Sequence, residues 1–167
     1  MIDIVILSYN RPKQIERFFK KLKNVKCDDV RIIIKDDCSP LYPKIKKITN
    51  FYIDILPIKI VLHKNHRNLG YDANLMDSFT ISSAEYVFLM SDDDFILGEN
   101  LKYLINFLKL NKPDFCFCSY SYNNKKFRAS MSGSIAEYNS NYLYDSILFS
   151  GLIFKRDLIV INKAEFK

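Results

Sequence analysis

The chain has 167 residues, 49% hydrophobic and 26% charged, with 25 Lys and Arg against 19 Asp and Glu for a net charge of +6. That length and mixture suit one globular domain with a core of its own, and they exclude a disordered or collagen-like chain. The four cysteines, Cys27, Cys38, Cys116 and Cys118, form no Cys-x-x-Cys pair and follow no signal-peptide pattern, so neither a disulfide framework nor a zinc site is expected and a reducing cytoplasm is.

The lysines are spread along Lys20 to Lys64 and Lys102 to Lys126, with no dense tract. This is what a solvated, lysine-rich surface looks like, and it also suits a protein that handles phosphorylated ligands or lies near an anionic membrane. A nucleic-acid partner is not expected. No apolar stretch approaches the roughly 18 residues that span a bilayer, so any membrane contact would be peripheral, at the inner face.

In chain order, Ile2 to Ser8 is a short apolar run followed by Tyr9-Asn10-Arg11-Pro12, and then Ile15, Phe18, Phe19 and Leu22 recur at helical spacing. Val30 to Ile34 is a second β-branched run, ending in Lys35-Asp36-Asp37-Cys38-Ser39-Pro40, and Tyr42 to Phe51 reads as a shorter helix. Ile58 to Leu62 is a third strand. His63 to Gly70 reads as a loop, and Tyr71 to Ser82 as a helix with Leu75, Met76 and Phe79 on one face. Tyr86 to Met90 is a fourth strand, followed by a helix marked by Leu101, Leu104, Ile105 and Leu108 that Pro113 closes.

Four strand-then-helix units with continuously apolar strands predict an α/β fold, Rossmann-like, with a mostly parallel sheet and helices on both faces. Beyond Asp114 the pattern changes. Phe115 to Tyr122 reads as a core strand, Asn123-Asn124 as a turn, Lys126 to Ser130 as a return strand and Ile147 to Phe154 as a further strand. No linker or repeat divides the chain, so residues 1–167 read as one domain.

This arrangement gathers four polar loops at the carboxyl edge of the sheet: Ser8 to Arg11, Asp36 to Pro40, Asn65 to Gly70 and Asp92 to Asp94. Open α/β sheets place ligands at that edge. Three adjacent carboxylates after a strand repel one another unless a cation sits among them, so Asp92, Asp93 and Asp94 read as a divalent-metal site, against the alternative of an acidic turn before a helix. A carboxylate at Asp36 or Asp37 can accept from a ring N–H and from ribose hydroxyls; for Asp37 the alternative is an Asx-type turn into Ser39-Pro40. Asn68-Leu69-Gly70 lets backbone approach a phosphate or ribose before a helix, and also reads as a plain turn. His63 and His66 lack the spacing of a zinc pair and read as solvated.

On these residues the chain resembles the amino-terminal, nucleotide-binding part of a family-2 glycosyltransferase with the GT-A fold. The carriers of the likeness are Ile4-Val5-Ile6-Leu7-Ser8-Tyr9-Asn10-Arg11-Pro12, Ile34-Lys35-Asp36-Asp37-Cys38-Ser39, Asn68-Leu69-Gly70 and Phe88-Leu89-Met90-Ser91-Asp92-Asp93-Asp94, in family order. The resemblance spans about Met1 to Arg156. It implies a nucleotide-sugar donor, UDP-linked by preference, a divalent metal, Mn or Mg, and a glycan or lipid-linked acceptor in bacterial surface polysaccharide synthesis. It implies nucleotide contacts at Ser8, Tyr9, Asn10, Arg11, Asp36, Asp37, Asn68, Gly70 and Asp92, and a DxD-type metal motif at Asp92, Asp93 and Asp94, with Asp93 the leading ligand.

Two departures from the family pattern stand out. Cys38 occupies the place where Gly is common after the acidic pair. The family's catalytic carboxylate would follow a segment like Ser150-Gly151-Leu152-Ile153-Phe154-Lys155-Arg156, and the chain stops at Lys167 before it is expected, so the carboxyl-terminal part reads as truncated and no catalytic residue is assigned. Glu137, Asp145 and Asp157 are the acids of the last third. A donor-binding domain without turnover is the alternative reading. A nucleotidyltransferase is disfavoured, because Ser8 to Gln14 has no glycine for a triphosphate loop.

Overall fold

Seven successive buried residues, Ile2–Ser8, form strand β1 at the centre of the molecule. The structure, a computed structural model, describes residues 1–22, 25–122, 125–128, 130–134 and 150–159. After β1 come α1 (Pro12–Lys21), β2 (Val30–Asp36), α2 (Tyr42–Ile55), β3 (Lys59–Lys64), α3 (Tyr71–Ile81), β4 (Tyr86–Ser91) and α4 (Gly98–Asn111). The remainder is strand-rich: β5 (Phe115–Phe117), β6 (Tyr120–Tyr122), β7 (Lys125–Arg128), β8 (Met131–Gly133) and β9 (Leu152–Lys155), then a 3₁₀ turn at Arg156–Leu158.

Local signals explain several boundaries. Pro12 and Pro43 open α1 and α2, where a missing backbone N–H costs nothing. Lys112, in left-handed backbone, and Pro113 behind it end α4. At the start of α4, a Cβ on Gly98 would lie 2.1 Å from the Val25 Cγ2, so only glycine lets the helix approach that side chain.

The main sheet has the order β3-β2-β1-β4-β9-β5-β8. β3, β2, β1 and β4 are mutually parallel, whereas β9 runs antiparallel between β4 and β5, and β8 antiparallel to β5. The side-chain period of two in β1 sorts the core. Ile2, Ile4 and Ile6 join Ile32, Ile34, Phe88 and the buried faces of α1, α2 and α4. Val5 and Leu7 point the other way, with Ile33, Val87 and Leu89, onto Leu75 and Phe79 of α3. Each such side chain contributes on the order of 1.5–3 kcal/mol by leaving water.

The expected α/β architecture with helices on both faces is present, with differences after Asp114. The single strand expected over Phe115 to Tyr122 is two. The chain leaves the main sheet at Cys118, whose N–H donates to the Gly151 carbonyl (2.8 Å), and Tyr120–Tyr122 pairs with Lys125–Arg128 in a separate two-stranded sheet. β3 runs two residues further than expected, which places His63 on a strand and half-buried, not in a solvated loop. Its partner strand supplies the reason: Lys35 and Asp36 of β2 stay in register with His63 and Lys64. The turn expected at Asn123-Asn124 and the start of the strand expected from Ile147 lie outside the described residues. Among the described residues no helix is long and apolar enough to cross a membrane.

Candidate functional site

β1 lies between β2 and β4, so the chain leaves β1 toward one side for β2 and β3 and returns by α3 to place β4 on the other. This reversal opens a crevice at the carboxyl ends of β1 and β4, the position where open α/β sheets hold ligands. A cavity of about 480 Å³ sits there, large enough for a nucleotide-sized ligand. Ser8, Tyr9, Arg11, Asp37, Asn68, Gly70, Asp92 and Asp93 all line it. Asn10, Asp36 and Asp94 do not. A cavity of about 110 Å³ at the opposite edge, beside Met1 and Tyr86, is too small for such a ligand.

The residues outside the lining build its walls. Asn10 adopts left-handed backbone (φ 57°), its N–H donates to the Ser39 Oγ (2.8 Å), and its Oδ1 accepts from the Leu41 N–H (3.2 Å). Asp36 is fully buried and accepts from the Ser39 N–H (2.9 Å) and the Ser39 hydroxyl, closing an Asx-type turn. That turn was foreseen for Asp37, and Asp36 makes it. Cys38 has φ 58°, which explains why glycine suits this position.

Asp37 anchors the loop before α3. Its Oδ1 accepts from the Asn65 Nδ2 (2.7 Å) and the Leu69 N–H (2.8 Å), and its Oδ2 from the Gly70 N–H (3.0 Å). A carboxylate offers about four acceptor positions, so one remains, on Oδ2. Gly70 has φ 78°, a backbone region that disfavours any residue with a Cβ. Its N–H also reaches the Asn68 Oδ1 (2.9 Å). On β1, the Ser8 hydroxyl is buried at the cavity wall and makes no well-formed hydrogen bond among the described residues, although it lies near enough to Asp92 to lower that carboxyl's pKa.

Asp92, Asp93 and Asp94 occupy a turn closed by the Asp94 N–H on the Ser91 carbonyl (3.4 Å). Only Asp92 is buried, 6% exposed. Burial pushes its carboxyl up to about 6; Arg11, the Ser8 hydroxyl and Arg17 pull it down and the Asp93 charge pushes it further up. Asp93 is exposed, its Oδ1 3.1 Å from the Arg11 Nη1, while Arg17 donates to its backbone carbonyl. Among the described residues no group of three His, Cys, Asp or Glu side chains is arranged to hold an ion by itself. Asp92 and Asp93 at one wall do suit a Mg-type ion, which one or two carboxylates hold while phosphates and water complete the shell.

Three contributors were missed from sequence. Asn74 and Tyr71 of α3 line the cavity, and Ser150 seats β4 by accepting from the Ser91 N–H (2.9 Å). An Asn at a buried helical position was the legible signal for Asn74; Ser150 gave none. Of the late acids, Asp157 is in the 3₁₀ turn and ion-paired to Arg156 (3.2 Å), while Glu137 and Asp145 lie outside the described residues.

Residues 3–161 match the family model described as glycosyl transferase family 2. The chain belongs to that family. It is 26% identical, over 99% of its length, to the poly(ribitol-phosphate) beta-N-acetylglucosaminyltransferase TarP of Staphylococcus aureus, and covers 52% of that protein. It is 28% identical, over 62% of its length, to the GalNAc(5)-diNAcBac-PP-undecaprenol beta-1,3-glucosyltransferase of Campylobacter jejuni, covering 33% of it. The chain thus spans about half and a third of these two relatives. Among solved structures, S. aureus TarS 1–349 superposes with a TM-score of 0.73 at 19% identity, over 94% of this chain and 47% of that one. TarS 1–349 has also been solved in complex with UDP-GlcNAc, at a TM-score of 0.71. The mannosyltransferase PcManGT from Pyrobaculum calidifontis, in complex with GDP-Man and Mn2+, superposes at 0.65 with 15% identity, over 94% of this chain and 45% of that one. The family-2 chain has the GT-A fold of these neighbours.

Proposed function

We propose that the cavity at the ends of β1 and β4 is the nucleotide-sugar donor site of a glycosyltransferase. The donor is a UDP-sugar, and the acceptor a glycan or lipid-linked glycan of bacterial surface polysaccharide synthesis. The observation that carries the reading is the pair of incompletely met polar groups on the wall: the Ser8 hydroxyl, which has Asp92 near it but no well-formed bond among the described residues, and the one open acceptor position of the Asp37 carboxylate. A buried hydroxyl left fully without a partner costs about 1–3 kcal/mol, and a ligand that completes its bonding recovers part of that. The names of the two curated relatives, and the UDP-GlcNAc, GDP-Man and Mn2+ of the neighbours, support the same reading.

The roles follow from the chemistry. The Asp37 Oδ2 accepts the imide N–H of uracil, and Gly70 and Asn68 keep backbone close to the ribose. Arg11 exchanges its bond to Asp93 for one to the leaving diphosphate. Asp92 and Asp93 would hold a divalent cation, Mn or Mg, which supplies charge neutralisation at the diphosphate; a close unit-charge contact is worth about 4 kcal/mol at a surface-like dielectric. Inversion at the sugar carbon requires a carboxylate opposite the leaving group to take the acceptor proton.

Calorimetric titration of UDP and GDP, with and without Mn, on this chain and on Asp93→Ala tests the reading. The expected result is UDP binding that Mn strengthens at least about tenfold and that Asp93→Ala separates from the metal. No binding of either nucleotide overturns it.

A further inference from the structure

β2 carries three charged residues, Arg31, Lys35 and Asp36, and the Lys35 ammonium is fully buried. A buried ammonium needs all its donors met and a counter-charge nearby. Its three N–H groups have three acceptors: the Asn65 Oδ1 (2.8 Å), the Asn74 Oδ1 (2.7 Å) and the Asp77 Oδ2 (3.0 Å). The Asn65 amide points onward. The Asn65 Nδ2 donates to the Asn74 Oδ1 (2.8 Å) and to the Asp37 Oδ1 (2.7 Å), and Asp37 in turn holds the N–H groups of Leu69 and Gly70.

Lys35 reaches no solvent and does not line the cavity, so it cannot touch a ligand there. It does hold the carbonyl oxygen of Asn65, which leaves the amide N–H groups to Asp37 and Asn74. Remove the charge and the amide keeps only those two N–H bonds while its buried oxygen loses the donor that seats it, so the amide and the loop that Asp37 holds are less firmly fixed.

We propose that Lys35 is a positioning residue: through Asn65 it fixes the rotamer of Asp37 and the Leu69–Gly70 backbone, and so holds the single open acceptor position toward the nucleobase. This rests on the donor-site reading for its ligand, but the hold on the loop can be measured without one.

The variant is Lys35→Met, similar in length and without charge. Amide hydrogen exchange by NMR reads the loop, and calorimetry compares UDP with its N3-methyl analogue, which lacks the donor for Asp37. In the unaltered chain, UDP is expected to bind at least about tenfold more tightly than the analogue. In Lys35→Met the ratio should fall below about threefold, and exchange at Leu69 and Gly70 should rise at least about tenfold relative to Val5 and Ile33. A retained ratio, or exchange that rises equally everywhere, overturns the proposal and leaves Lys35 as packing alone. Should Lys35→Met not fold, Asp77→Asn removes the counter-charge from a partly exposed position, and the same two readouts are expected to move in the same direction; unchanged values overturn it. An unaltered chain that binds neither compound sinks the donor reading instead, while the exchange data still decide whether Lys35 holds the loop.

Discussion

Strands β1 and β2 carry a buried charge cluster at each end, and the two clusters are finished differently. At the amino ends, Asp3 accepts from the Arg31 Nε (2.8 Å) and Nη2 (2.6 Å) and from the N–H groups of Ser83 (2.8 Å) and Ala84 (3.0 Å). The carboxylate meets four donors from the chain itself, one at Oδ1 and three at Oδ2, and lines neither cavity. At the carboxyl ends, Lys35 and Asp37 form an equally buried cluster, yet Asp37 meets three donors, lines the nucleotide-sized cavity and lies beside a Ser8 hydroxyl that makes no well-formed bond among the described residues. A cluster shut away from any cavity stabilises the fold, whereas one at a cavity wall offers hydrogen-bonding capacity to something that is not part of the chain.

The sharpest break between the two ends is Asp3→Ala. It leaves the Arg31 guanidinium largely buried without its partner, and a loss of about 3–5 kcal/mol is expected in urea denaturation. UDP affinity of the folded fraction should not change. A loss below about 1 kcal/mol would show that the amino-end cluster is not a structural one.

Asp92→Asn has a smaller effect that depends on pH. The folded carboxyl titrates at about 6, above its ordinary 3.8, so the folded state holds its proton more tightly than the unfolded state does. The stability gained from that proton is complete below about 4 and is lost as pH rises through about 6. The neutral amide escapes this loss. Urea denaturation should find Asp92→Asn more stable than the parent at pH 8 and near it at pH 4; equal differences at both pH values would remove burial as the cause.

Ser8→Ala is the smallest change and the most diagnostic of the open end. It deletes a buried hydroxyl that has no well-formed bond among the described residues, so stability should stay level or rise by up to about 1 kcal/mol, while UDP affinity falls several-fold. Lost stability would mean that the hydroxyl is already satisfied within the fold.

How far the sequence reaches follows the same division. Strands β1 to β4 and their helices were legible because continuous β-branched runs alternate with helical spacing, and the four loops at their carboxyl ends followed from that alternation alone. Hydrogen-bond assignments inside the loops were not. Asp36 and Asp37 are adjacent and chemically identical, and only the path of the loop that ends at Gly70 decides that one closes a turn while the other meets the cavity. Lys35 read only as the first polar residue after the run Val30 to Ile34, and its partners at Asn65, Asn74 and Asp77 come from elements that no local pattern brings together. The break at Cys118 and the insertion of β9 also escaped, since both depend on pairings made far along the chain.

That insertion bears on the order in which the molecule assembles. The bond from the Ser91 N–H to the Ser150 Oγ joins residues 59 apart in sequence, and all of β1 to β4 precedes β9 in the chain. Until β9 arrives, the outer side of β4 is an unpaired edge, open to strands of other chains. During synthesis the β1–β4 half therefore forms first, and the turn bearing Asp92 and Asp93 gains its last tether only when residues 150–155 have left the ribosome.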